Sequence, residues 1–66
     1  MFINLVESDM LLNLDSIKCV IRLNETETPY TMAIEYYESD AVINMYDSLD
    51  VLNDEYELIS KHLLGD

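Results

Sequence analysis

Hydrophobic residues recur at two different periods along this chain, and the change of period divides it. Between Ile17 and Leu23 the alternation is strict: Ile17, Cys19, Ile21 and Leu23 fall on one side, and Lys18, Val20 and Arg22 on the other. That is the period of a half-buried strand, and it predicts Ile17, Cys19, Ile21 and Leu23 on the core face. Tyr30 to Tyr37 alternates again, with Tyr30, Met32, Ile34 and Tyr36 opposed to Thr31, Ala33, Glu35 and Tyr37. Phe2 to Val6 and Leu11 to Leu14 are shorter β-rich runs. Turn formers separate these runs at Glu7-Ser8-Asp9, Asp15-Ser16 and Glu38-Ser39-Asp40, and Asn24 to Pro29 is a polar loop. Ala41 to Tyr46 reads as a last strand, with a helical lead-in as the alternative.

The C-terminal segment follows the other period. Leu49, Leu52, Tyr56, Ile59 and Leu63 are spaced as one stripe of an α-helix, predicted over about 48–64. Asp47 or Ser48 suits its N-cap. Asp50, Asp54 and Glu55 favour the positive end of the helix dipole, and Lys61 and His62 the negative end. Gly65 supplies a residue able to close it in a left-handed conformation.

The sum is a single domain over residues 1–66, β-rich over 1–46, with the helix after it. The fold class is α+β: a small antiparallel meander of three to five strands packed against one C-terminal helix, whose stripe covers one face of the sheet.

Composition then narrows the reading. Fourteen acidic residues stand against three basic ones, for a formal net charge of −11 on 66 residues. Charge of that size alone points to disorder. Half the residues are apolar, five are tyrosine, and Gly and Pro occur once each, so a folded domain is expected instead. Its core is small, and like charges erode it further, so a dimer or a cationic partner is a natural source of added stability. With one cysteine, Cys19, no internal disulfide forms, which fits a reducing compartment. The N-terminal residues show no signal peptide and no segment has the length of a membrane span, so a cytoplasmic protein is expected.

Enzyme chemistry finds little to use. One glycine excludes a glycine-rich phosphate loop. One His and one Cys do not make a zinc site without carboxylates. Cys19 reads as a small buried hydrophobe, and His62 as a surface residue at the helix end. No cofactor, catalytic residue or dedicated metal site is expected. The weakest of three functional readings is loose cation binding by Asp47, Asp50 and Asp54. Direct nucleic-acid binding needs Lys and Arg that this chain lacks, and anionic membrane repels it.

The charge instead points to a basic protein surface. Between Leu23 and Ser60 there are ten acidic residues and no Lys or Arg. If its charges face one way, a domain roughly 30 Å long with this charge has a bit over half the linear charge density of DNA, which is about one charge per 1.7 Å. In size and charge the chain is similar to small acidic viral inhibitors of nucleic-acid enzymes, with no motif shared. The resemblance implies a phage-encoded, anti-defence DNA mimic that blocks a nucleic-acid-handling or defence protein. The expected contacts are Glu35, Glu38, Asp40, Asp47, Asp50, Asp54, Glu55 and Glu57, with Tyr37, Val51 and Leu58 as apolar anchors. Val51 and Leu58 are seven residues apart on the helix, on the side expected to lie opposite the core stripe. The alternative is a small structural or regulatory subunit that homo-oligomerises, as a dimer for example, through its helix or a sheet edge.

Overall fold

The computed structural model describes residues 2–5 and 10–64. Their order is β1 (Phe2–Leu5), β2 (Met10–Asn13), a 3-10 turn (Leu14–Ser16), β3 (Ile17–Asn24), β4 (Tyr30–Tyr36), β5 (Val42–Tyr46) and α1 (Leu49–Leu63). The architecture is α+β, with five antiparallel strands and one C-terminal helix. The strands split into two sheets: β1 pairs with β2, and β3-β4-β5 form a meander. Ala41 to Tyr46 therefore resolves as a strand, not a helical lead-in. The expected turn at Glu7-Ser8-Asp9, the end of the first run at Val6 and the closing role of Gly65 lie outside the described residues.

The second strand stops one residue before Leu14. The Asn13 side chain accepts a hydrogen bond from the Asp15 backbone N–H at 3.1 Å, and this Asx-type turn bends the chain into the 3-10 turn. Leu14 is turned into the core by that bend.

β4 is the central strand, and its alternation is as expected. Met32 and Ile34 are fully buried on the face that α1 covers. Leu52 and Ile59 of the helix are also fully buried, and each contributes about 1.5–3 kcal/mol relative to an exposed side chain. Leu5, Leu12, Leu14, Ile17 and Tyr46 complete this core, so the β1–β2 hairpin and the helix share one hydrophobic cluster.

The face expected for β3 is corrected after its first residue. Ile17 pairs with Tyr36, but Cys19 pairs with Glu35, so Lys18 is an extra residue in the ladder. A bulge of this kind inverts the alternation that follows it. Ile17 stays in the core, while Val20 and Arg22 fall opposite Ile34 and Met32 on the covered face. Cys19 and Ile21 lie opposite Glu35 and Ala33 on the other face. A second register shift follows between Arg22 and Asn24. Leu23, expected inside, is exposed.

α1 begins where the sequence places it, with Ser48 in extended backbone at the N-cap. The Ser48 carbonyl accepts from the Leu52 N–H at 3.2 Å, but its side chain makes no capping bond. The buried stripe is Leu52, Glu55 and Ile59, turned from the expected one so that Leu49 and Tyr56 are only half-buried. Arg22 fastens this helix to β3: its guanidinium lies 4.3 Å from the centre of the Tyr56 ring and donates to Asn53 Oδ1 at 3.2 Å. Among the described residues no helix is long and apolar enough to cross a membrane.

Candidate functional site

Of the eleven acidic residues described, nine are exposed. They fall in three places. Glu38 and Asp40 lie in the turn after β4, at the end of the sheet where Ile34 pairs with Val42, and Asp15 lines the same hollow as Glu38. Asp47 follows Tyr46, which pairs with Tyr30, so it lies at the opposite end of the sheet, the end from which the loop bearing Glu25 and Glu27 departs. Asp50, Asp54 and Glu57 follow one another along the exposed stripe of α1, ahead of Lys61. The acids thus surround the molecule at both sheet ends and along the helix, and three of the eight expected contacts share the helix stripe. Among the described residues no three His, Cys, Asp or Glu side chains converge to hold a metal ion, so Asp47, Asp50 and Asp54 do not form the cation site considered above.

Two of the candidate acids have other surroundings. Glu55 is only 5% exposed. The Tyr46 hydroxyl donates to Glu55 Oε1 at 2.5 Å, and Asn44 Nδ2 donates to the same hydroxyl at 3.3 Å and to Met10 Sδ at 3.1 Å. This chain of bonds ties β5 to α1 and to the hairpin, so Glu55 belongs to the interior and stands apart from the exposed acids. Glu35 lies on the sheet face opposite the helix, where the Cys19 thiol donates to its Oε2 at 3.3 Å. That bond, then burial and the nearby negative charge, push the thiol pKa above its ordinary value against the opposing effect of Lys18. Cys19 is therefore neither the buried core residue expected nor an activated nucleophile.

The apolar anchors also divide. Tyr37 is exposed beside Glu38, in a hollow of about 520 Å³ that Asp15 and Ser16 help to line, and its backbone N–H donates to the Ser16 carbonyl at 3.1 Å. Leu58 is exposed at the margin of α1. Val51 is half-buried and packs against the core cluster, so the pair does not make a second apolar face opposite the core.

What sequence reasoning missed is the bare face of the three-stranded sheet. Ile21, Ala33 and Ile43 form one row across its three strands, and Thr31 and Met45 lie in the next row on the same face. Ile43 is 51% and Met45 71% exposed, whereas Ala33, flanked by Ile21 and Ile43, is 6% exposed. Glu35 is the acid within this patch. An apolar centre with a charged surround is the usual anatomy of a protein-binding surface. The signal available in the sequence was the uncharged run Ala41 to Tyr46, set in a chain otherwise dense with acids.

These features define an α+β domain with an acidic surface and one bare sheet face. Compared with known protein families, with curated proteins and with solved structures, the chain matches none.

Proposed function

We propose that the chain is a non-catalytic, acidic binding protein that works in the cytoplasm and docks on a basic surface of a nucleic-acid-handling or defence protein, inhibiting it. One observation carries this reading: nine exposed acids are set against three basic residues in the whole chain. Such a field accelerates encounter with a cationic groove and repels nucleic acid itself. The helix stripe is the part of the surface nearest to a phosphate row. Asp50 and Glu57 are seven residues apart, about 10 Å along the axis, with Asp54 between them. One charge in about 5 Å compares with one in 3.4 Å along a DNA strand. A DNA mimic is the form of the proposal that this spacing favours, and a phage origin fits the size and charge of the chain.

The test is affinity capture with the tagged protein, eluted stepwise with salt. A basic nucleic-acid-binding protein released at moderate salt and displaced by added DNA is the expected outcome. Recovery of the chain alone, or of a partner indifferent to salt and DNA, would contradict it. The bare sheet face and the edge strand beside it favour a second reading, a small subunit that assembles with itself. A dimer that persists unchanged at high salt in sedimentation experiments would decide for that reading.

A further inference from the structure

The two edges of the three-stranded sheet are built differently. β3 is interrupted by two register shifts and carries Lys18 and Arg22. β5 pairs with β4 over five consecutive positions without a shift, and nothing from Ala41 to Tyr46 is charged. Bulges and basic side chains are common means of protecting an edge, and β5 has neither. Among the described residues no strand pairs with its outer side. A groove of about 540 Å³ runs there, lined by Ile43, Asn44, Met45, Asp47, Ser48 and Val51.

We propose that β5 is a docking edge that receives an extended segment of a partner protein as a fourth strand, a segment apolar at alternate positions and basic at both ends. From Val42 to Met45 the edge presents outward backbone N–H and C=O groups that no described strand pairs, as in other cases of strand addition. Ile43 and Met45 extend the bare face under the incoming strand and receive its apolar side chains. Charge determines the occupant. Asp40 and Asp47 stand just beyond the two ends of β5, and both are exposed. A second copy pairing antiparallel about Asn44 sets Asp47 of each strand beside Ala41 of the other, next to Asp40. A parallel pairing sets Asp47 beside Asp47. Either arrangement brings like charges together at both ends, which is unfavourable. Area argues the same way. Three strands spaced about 4.8 Å apart, over five residues of about 3.3 Å each, present on the order of 240 Å². A standard interface needs about 800 Å² per partner, so contacts with the surrounding acids must supply the rest. Lysine or arginine at the ends of the incoming strand meets both requirements.

This inference rests on the basic partner proposed above, and the experiment separates the two. The probe is a synthetic peptide of alternating valine and threonine with lysines at both ends, titrated by NMR into the unmodified protein. Its controls are the same peptide with two adjacent central prolines, one of which faces β5 in either register and removes a ladder bond while the charge is kept, and one with glutamates at its ends. The lysine-ended peptide is expected to shift the amide signals of Val42–Tyr46 and to bind about tenfold or more tightly than either control. Equal binding by the proline peptide would overturn the docking edge and leave the basic-surface reading standing. Equal binding by the glutamate-ended peptide would overturn the basic ends of the occupant and count against the basic-surface reading as well. Concentration-dependent shifts confined to β5 without any peptide would overturn the proposal in favour of a second copy.

Discussion

β3 and β5 flank the same central strand, yet the pairing of one is interrupted by two register shifts and that of the other is regular. β3 is longer, is bulged at Lys18, and is held to the helix by Arg22 across Tyr56 and Asn53. β5 is short and regular, and is anchored on its inner side through Tyr46 and Asn44. The bulge also decides which side chains lie on which face, since it turns Cys19 and Ile21 onto the face that no described helix covers. One extra residue in a strand therefore fixes both the protection of an edge and the composition of the opposite surface.

The largest effect is expected where the helix loses its grip on the sheet. Leu52→Ala or Ile59→Ala empties a fully buried site and is expected to cost about 2–5 kcal/mol. A domain of this size has roughly 3–10 kcal/mol in all. Urea denaturation should show either variant near the limit of folding, with the covered face lost before the identity of the edges matters.

A smaller effect separates the anchoring of β5 from that of β3. Tyr46→Phe removes the hydroxyl that donates to the buried Glu55 carboxylate and is expected to cost about 1–3 kcal/mol. Removing the guanidinium, as in Arg22→Met, acts on an exposed contact and is expected to cost about 1 kcal/mol or less. Thermal melts of the two variants rank the anchors, and an equal loss would erase the distinction.

Met45→Lys should leave stability within about 0.5 kcal/mol, because the side chain is exposed. It places a charge of the protective kind on the open edge. Binding of the lysine-ended peptide should then fall while the melting temperature holds.

The smallest effect is at Cys19. Its thiol should react with iodoacetamide more slowly than free cysteine near pH 8, and Glu35→Gln should raise the rate. The thiol pKa is raised in the folded state, so the stability linked to it is whole below the ordinary thiol range. It is lost as pH rises through the folded value. Cys19→Ala should therefore flatten the alkaline limb of the stability profile. An unchanged limb would show that the bond to Glu35 does not matter energetically.

The elements themselves were legible in the sequence. The alternation of Tyr30 to Tyr36 and the stripe from Leu49 to Leu63 are local patterns that packing follows. The face of β3 was not legible, because a bulge exists only relative to the strand it pairs with, and Lys18 carries no local mark of being the extra residue. Glu55 was misread as an exposed contact for a similar reason: its burial depends on a hydroxyl nine residues away, on a different element. For the candidate surface, the acids were visible as composition. The bare face they surround came only from register, which sets Ile21, Ala33 and Ile43 in one row.

The most direct test of the open edge is amide hydrogen exchange at β3 and β5, measured free and with the lysine-ended peptide. Alternate amides of Val42–Met45 are expected to exchange readily in the free protein and to become protected when the peptide binds, while β3 is unchanged. Protection of both amide sets of β5 before any peptide is added, or new protection at β3 alone, would contradict it.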